Sequence, residues 1–464
     1  MGTQAGNRPH RIVIVGGGAG GLELATRLGD TLGRRGKADV TLIDRNRTHI
    51  WKPKLHEIAA GSMDIGDHEV GYLAQAHWHR FHFRIGEMTG LDRAKHLVHV
   101  APFVDADGQE VTPARSFPYD TLIISVGSQS NDFGTPGVRE NAMKLETPAD
   151  ARRFHVRMVN ACVRAHAQRT PLRPEQLHVA IIGAGATGVE LAAELHHTTR
   201  EVVAYGLDRV DADKDIKLSV IEAAPRVLPA LPERLSSSTE KLLRSLGIDV
   251  HTNARVAEVL PGGVRLADGR LLPAELVVWA AGVKGSELGK VLADQTGAEL
   301  DRAGRVVVEE NLTLPGHPEV FVIGDMAFVP GVPGVAQGAI QGARYAADLI
   351  NSRIQHTAAP QPFAYKDKGS MATIAKFKAV ALIGKVRLTG FLAWVAWLFL
   401  HLLYIAGFKQ RVTTLLSWAL TFLSNGRSQL VVTNQQMVGR LALEKLGTNV
   451  SGRLIEGDDV APRE

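Results

Sequence analysis

The stretch RIVIVGGGAGGLELATRL, residues 11–28, decides the fold. Residues 12–15 are short, apolar and β-branched, as in a strand buried on both faces. Gly16, Gly18 and Gly21 follow in G-x-G-x-x-G spacing, with Gly20 among them, and lead into a helical pattern. Glycine there permits a tight turn, close approach of backbone to a pyrophosphate, and close packing of helix on strand. The helix N-terminus favours phosphate charge. The next strand, ADVTLID, ends at Asp44, where a carboxylate can accept hydrogen bonds from ribose hydroxyls. Strand, loop, helix and terminal acid together predict a Rossmann-like dinucleotide site.

The pattern recurs in LHVAIIGAGATGVELAAEL, residues 177–195. Residues 179–182 form the strand. Gly183, Gly185 and Gly188 repeat the fingerprint, with Thr187 inside it and Glu190 on the helix. The partner strand IKLSVIEA ends at Glu222, after a polar insertion, GLDRVDADKD. A carboxylate there repels a 2′-phosphate and favours NAD over NADP, although Arg226 stands four residues on. Three more apolar strands end in glycine: 119–131 at Gly127, 276–286 at Gly282, and PEVFVIGDMA (318–327) at Gly324–Asp325.

In this order the motifs resemble the two-dinucleotide-binding-domain flavoprotein family, over residues 11 to about 345. The resemblance implies non-covalent FAD on the first fingerprint and NAD(P)H on the second. It implies that Asp325 contacts the ribityl or pyrophosphate part of the flavin cofactor. The expected fold is α/β, with two Rossmann-like domains. A discontinuous FAD domain takes 8–145 and 291–375, with a smaller sheet in GRVVVEENLTL, and the NAD domain is inserted at 146–290. Membrane-associating amphipathic helices take 376–440, and a polar tail takes 441–464.

Composition narrows the chemistry. The chain has 464 residues, 45% hydrophobic and 22% charged, with a net charge of +5. That is ordinary globular composition, too weakly basic to argue for nucleic acid. Cys162 is the only cysteine, in a helix-like stretch. It excludes an intrachain disulfide, a CxxC pair and a cysteine-ligated cluster. Electrons therefore need an external acceptor. No apolar run precedes the first strand, so no secretory signal is expected. Among eighteen histidines, AHWHRFHF holds His77, His79 and His82. Strand alternation would put His77 and His79 on one face, but no third ligand is evident and no metal is expected.

The C-terminal part points to the acceptor. Residues 391–408 are apolar with His401 and Tyr404 the only ionisable side chains; a second apolar stretch is 412–423. Trp394, Trp397, Tyr404 and Trp418 suit a headgroup boundary, and Lys385, Arg387, Lys409, Arg411 and Arg427 suit anionic lipid. A core helix, a spanning helix and two interfacial helices all fit. Before it lies GVAQGAIQGA (334–343), which places Gln337 and Gln341 on one helix face.

Here the chain resembles type II NADH:quinone oxidoreductase, the single-subunit, non-pumping NADH dehydrogenase, through about residue 435. The matching segment AQxAxQ reads Ala336, Gln337, Gly338, Ala339, Ile340, Gln341. The resemblance implies that this segment lies beside the flavin and lines a quinone pocket. It places Glu190 between nicotinamide and flavin, and Lys376 near the quinone entrance. Ala375 stands where many members carry glycine.

The expectation is an enzyme that oxidises NADH through FAD and reduces ubiquinone or menaquinone by two electrons. It would be peripheral on the cytoplasmic side of the inner membrane and feed the respiratory chain. Aromatic C-terminal helices could also pair two copies. No carboxylate or lysine lies in the apolar runs, so no proton pumping is expected. The rival readings are a soluble NADH-dependent reductase serving a small redox protein, and a non-catalytic NADH- and FAD-binding signalling protein.

Overall fold

The computed structural model describes residues 8–105, 107–375, 378–384 and 386–404. The chain forms two compact units, each assembled from three segments. The first takes Met1–Trp51, Glu69–Gln129 and Val283–Lys368; the second takes Lys52–His68, Ser130–Gly282 and Gly369–Glu464. The breaks at 129/130 and 282/283 fall earlier than the sequence reading places them, and Lys52–His68 joins the second unit.

The first unit is built on a six-stranded sheet in the order Thr313–Leu314, His317–Val322, Thr121–Ile124, His10–Val15, Ala38–Asp44, His82–Ile85. All neighbours are parallel except the first pair. The pleat divides His10–Val15 between two cores. Ile12 and Ile14 face one cluster with Leu24, Leu42 and Phe321; Val13 and Val15 face another with Ile43, Leu122 and Ile124. A strand covered on both faces must be apolar throughout, which is why the run reads as continuous. On one face, helix Ala19–Leu28 packs against helix Ala336–Gln355. Small residues set that approach: a Cβ on Gly20 would lie 3.0 Å from the Ala339 carbonyl oxygen.

The second unit has a five-stranded, all-parallel sheet in the order Ala142–Lys144, Leu276–Trp279, His178–Ile182, Lys217–Ile221, Asp249–His251. Helix Ala186–Ala204 follows the central strand, and the short helix Leu55–Ala60 packs on it and on helix Pro148–Ala167. Helix Pro148–Ala167 opens with a Thr147/Asp150 capping box and buries Cys162. At the C-terminal end, Ser370–Ala375, Lys378–Ile383 and Val386–Gly390 form an antiparallel sheet. Helix Phe391–Tyr404 lies on it, with Ala393 against Ala379 and Ala381.

Several local expectations change. GRVVVEENLTL divides between a separate two-stranded sheet and the main one. Val306–Val307 pairs with Ala327–Phe328, and Thr313–Leu314 extends the main sheet. His77 and His79 lie on a helix, Tyr72–His79, not a strand, and they do not share a face: Tyr72, Gln75 and Ala76 are buried at helical spacing on the side of His79, while His77 is exposed. Ahead of the C-terminal helix come strands, where the sequence reading has helices from 376 on. A left-handed turn at Gly384 (φ +57°) lies between the last two strands, where Ile383 pairs with Val386. No helix among the described residues is long and apolar enough to cross a membrane. Residues 412–423 and the tail from 441 lie outside the described residues.

One ion pair staples the first sheet. Arg11 and Asp120 meet in a fork, Nη2 to Oδ1 at 2.7 Å and Nε to Oδ2 at 3.1 Å, and the Arg11 amide donates to Oδ2 at 2.8 Å. The guanidinium fork holds the Asp120 carboxyl down at about 2, from 3.8. Because the folded value is the lower one, its stabilisation is present above pH 3.8 and is lost as pH falls toward 2. Asp120→Asn should cost about 2 kcal/mol near neutral pH. In urea unfolding, variant and wild type should converge as pH falls through that window.

Candidate active site

In the first unit the loop after His10–Val15 has little freedom. Gly16 sits at φ +97°, and a Cβ on it would overlap the Ser125 carbonyl. A Cβ on Gly21 would fall on the Gly16 carbonyl oxygen. These two positions admit only glycine. Gly18 is different: a Cβ there would meet nothing within 4 Å. Gly18 is also the N-cap of helix Ala19–Leu28, with no side chain capping it. An open, uncapped helix start beside a close-packed turn fits a pyrophosphate.

The carboxylates around this loop are held by backbone. Asp44 Oδ2 accepts from the Gly17 amide at 2.6 Å, and Oδ1 accepts from the Asn46 amide at 2.7 Å. The Gly17 carbonyl accepts from the Tyr72 hydroxyl at 2.7 Å and lies 3.0 Å from His49 Nδ1. Burial lowers the proton affinity of His49 and raises the Tyr72 phenol well above its usual value, so the ring nitrogen and hydroxyl stay neutral. Neither residue stood out in the sequence, because both reach the loop through tertiary contacts. At the far end of the sheet, Asp325 Oδ2 accepts from the Ser128 hydroxyl at 2.9 Å, beside Gly127 (φ +76°).

Helix Ala336–Gln355 starts a few residues after Asp325, again with no side-chain cap. Its two glutamines differ. Gln337 Oε1 is buried and has no hydrogen-bond partner among the described residues. Gln341 closes both ends of its amide on Lys366: Nε2 donates to the carbonyl and Oε1 accepts from the amide, each at 3.0 Å. A buried acceptor left unpaired costs about 1–3 kcal/mol, so Gln337 is poised for a donor that the described residues do not supply.

The second unit repeats the cradle. Gly183 (φ +105°) would overlap Ala280 if it carried a Cβ, and Gly188 would overlap the Gly183 carbonyl. Gly185 faces open space and caps helix Ala186–Ala204 without a side-chain bond; Thr187 is exposed on its first turn. Glu222 accepts from the Ala184 amide at 2.7 Å and the Ala224 amide at 2.8 Å. Arg226 donates to the Pro229 carbonyl at 2.9 Å rather than to Glu222. Gly282, at φ +67°, follows strand Leu276–Trp279.

Glu190 is a buried carboxyl, 9% exposed, two residues past Gly188. Its Oε1 accepts from the Thr373 amide at 3.1 Å, and Oε2 lies 3.6 Å from Nδ1 of buried His56. Desolvation raises its proton affinity, against the pull of His56 and the Thr373 amide. His56 and Thr373 were missed in the sequence. The one local hint is an ionisable Lys-x-His-Glu set, residues 54–57, inside the apolar stretch WKPKLHEIAAG. Lys376 lies outside the described residues.

The remaining candidates are structural. His79 Nδ1 lies 2.9 Å from Asp30 and His82 Nε2 lies 3.3 Å from Asp39. No three His, Cys, Asp or Glu side chains converge on a metal position among the described residues.

Known proteins locate this arrangement. A model of the pyridine nucleotide-disulphide oxidoreductase family matches residues 10–343. The type II NADH:quinone oxidoreductase Ndh of Mycobacterium tuberculosis is 39% identical, over 95% of this chain and 94% of its own. That of Haemophilus influenzae is 38% identical, over 80% and 86%. The chain belongs to the type II NADH:quinone oxidoreductases. The solved NDH2 of Plasmodium falciparum, in complex with NADH, shares the fold. Its TM-score is 0.79 at 21% identity, over 92% of this chain and all of that one. The sulfide:quinone oxidoreductase of Aquifex aeolicus does so with a TM-score of 0.65 at 18% identity, covering 89% and 95%.

As a type II NADH:quinone oxidoreductase the chain matches a family model whose name carries a disulphide, yet it has one cysteine. Burial pushes the Cys162 thiol up to about 12, so it is not a reactive thiolate at neutral pH. The glycine cradle gives a paired test. Gly18→Ala should leave the melting temperature of the flavin-free protein unchanged and weaken flavin binding about tenfold or more, because the methyl enters only the open space. Gly21→Ala should lower both stability and flavin content, because its methyl displaces the Gly16 peptide. Thermal unfolding and the flavin-to-protein absorbance ratio check both.

Proposed function

We propose that the protein is a membrane-associated flavoenzyme that oxidises NADH through FAD and reduces ubiquinone or menaquinone by two electrons without pumping protons. The observation that carries the reading is the pair of open glycine cradles, at Gly18 and Gly185, in a chain with no cysteine pair to receive electrons. Gly16, Gly18, Gly20, Gly21, Asp44, Gly127, Asp325 and Ala336 would hold FAD. Gly183, Gly185, Thr187, Gly188, Glu222 and Gly282 would hold NADH. Bound FAD supplies a two-electron centre that accepts a hydride and passes the electrons on.

The chain's own groups do the rest. The uncapped start of helix Ala336–Gln355 offers backbone N–H groups and a positive dipole end to developing negative charge. Gln337 can donate from its amide nitrogen to a quinone carbonyl and accept a quinol hydroxyl on the unpartnered Oε1. Gln341 is spent on Lys366 and shapes the same stretch by fixing the chain that follows the helix. Burial raises the proton affinity of Glu190 above that of an ordinary carboxyl. Lys376 would stand at the quinone entrance, as the resemblance implies.

Helix Phe391–Tyr404 supports the membrane reading. Phe391, Leu392, Val395 and Phe399 form an exposed apolar stripe, while Ala393 and Trp397 are buried beneath. Such a stripe suits a helix lying in the lipid interface, on the cytoplasmic face of the inner membrane.

Two measurements test this. Gln337→Leu should cut quinone reduction about tenfold or more and largely keep NADH-to-flavin hydride transfer in rapid-mixing kinetics. Equal loss of both reactions would contradict the assignment. Leu392→Ser with Phe399→Ser should release the protein from anionic vesicles in a sedimentation assay while preserving reduction of a short-chain soluble quinone.

A further inference from the structure

We propose that the exposed face of helix Pro148–Ala167 docks on the anionic phospholipid headgroups of the bilayer, as an electrostatic contact separate from the apolar stripe on helix Phe391–Tyr404. The proposal rests on the membrane reading above and adds a second surface to it.

The sequence of the helix sets this face. PADARRFHVRMVNACVRAHA carries four arginines and one acid, Asp150. Asp150 is spent in the capping box, where Oδ2 accepts from the Thr147 amide at 3.0 Å and from its hydroxyl at 2.7 Å. Ala151, Phe154, Met158, Ala161, Cys162 and Ala165 are buried at helical spacing. Arg152, Arg153, Val156, Arg157, Asn160 and Val163 are exposed instead, within an arc of about 140° at about 100° per residue.

Two features set it apart from an ordinary solvated face. Its charge is unbalanced: Arg164, at the edge, meets Glu275 at 2.7 Å, but Arg152, Arg153 and Arg157 make no ion pair among the described residues. Its centre is apolar: Val156 is 49% exposed and Val163 36%, with Arg152 on one flank and Arg153 and Arg157 on the other. Guanidinium groups on long stems can fork onto phosphate oxygens while the stems and the valines cover the headgroup boundary.

The topology favours a bilayer over an acidic protein as the occupant. The crossovers from Ala142–Lys144 to His178–Ile182, on to Lys217–Ile221 and on to Asp249–His251 all step the same way across the parallel sheet. Right-handed crossovers therefore put helices Pro148–Ala167, Ala186–Ala204 and Glu233–Ser245 on one face of it. Strand Ser370–Ala375 packs against the last two, and helix Phe391–Tyr404 packs on the sheet that this strand begins. The arginine face and the apolar stripe thus belong to one side of the second unit. Stable anchoring takes two signals. The stripe inserts, and the arginines add an attraction that acts over about 10 Å. Each arginine near an anionic surface strengthens binding about fivefold.

The test uses the whole flavin-loaded chain, sedimented with two kinds of vesicle: phosphatidylcholine alone, and equal parts phosphatidylcholine and phosphatidylglycerol. Arg152→Gln, Arg153→Gln and Arg157→Gln are combined; glutamine forms helix about as well as arginine, so the melting temperature should hold. This triple variant should bind the anionic vesicles about tenfold or more weakly than wild type, bind the neutral ones equally, and keep its reduction of a short-chain soluble quinone. Raising the salt should erase the difference. Arg35→Gln, Lys37→Gln and Arg302→Gln together remove the same charge from exposed positions of the first unit and should bind like wild type. A second readout needs no loss of binding. Cys162 is the only cysteine and is buried, so Asn160→Cys supplies the reactive thiol. A polarity-sensitive dye attached there should shift to the blue on anionic vesicles. Wild-type binding by the arginine triple, equal loss in the first-unit control, or an unshifted dye at position 160 would each overturn the proposal, and the face would then suit an acidic protein. If wild type binds neither vesicle, the membrane reading falls and this inference with it. If wild type binds and the arginine triple matches it, only the arginine face falls.

Discussion

The contact between the Gly21 Cα and the Gly16 carbonyl, and its counterpart between Gly188 and Gly183, sets the geometry on which both cradles depend. Each contact lets a helix press onto the strand before it until no Cβ fits. That pressing points the first turn of the helix at open space, and it leaves Gly18 and Gly185 facing that space with no side chain. Amides that would otherwise be capped remain available to an anion. A bulkier residue at Gly21 or Gly188 would rotate the helix away and remove the site along with the packing.

The acidic groups then divide by how they are satisfied. Asp44 and Glu222 accept backbone amides in their own loops, which fixes them as acceptors at the edge of each cradle. Glu190 has one backbone donor and a histidine, inside a desolvated region. The first kind is fixed by its own loop; the second is held between distant segments, where desolvation raises its proton affinity. The glutamines show the same division. Gln341 has both amide ends satisfied, whereas Gln337 keeps a buried acceptor unpaired among the described residues. Residues of one type, one helical turn apart, are thereby suited to different tasks.

This division explains what could be read from the sequence. The mixed α/β fold was legible because Gly16, Gly21, Gly183 and Gly188 answer a local backbone constraint within a few residues of each strand. The terminal acids Asp44 and Glu222 were legible because the strand that carries each is continuous and apolar. Glu190 was legible as a position, since it follows the second fingerprint. Its partners were not: Thr373 is 183 residues away in sequence, and His56 reaches it through a short helix packed from another segment. The different fates of Gln337 and Gln341 depend on where Lys366 passes, which no spacing rule encodes. His77 and His79 misled because a short histidine alternation fits a strand as well as a helix, and only the burial of Tyr72 and Ala76 decides.

The central claim is that two electrons pass from NADH to a membrane quinone with protons drawn from one side only. The most direct test uses the purified protein added to sealed, quinone-loaded liposomes that contain a pH-sensitive dye. The account predicts one quinol formed per NADH oxidised, one proton taken from the outer medium per turnover, and no change in interior pH. Interior acidification coupled to turnover, or NADH oxidation without quinol, would contradict it.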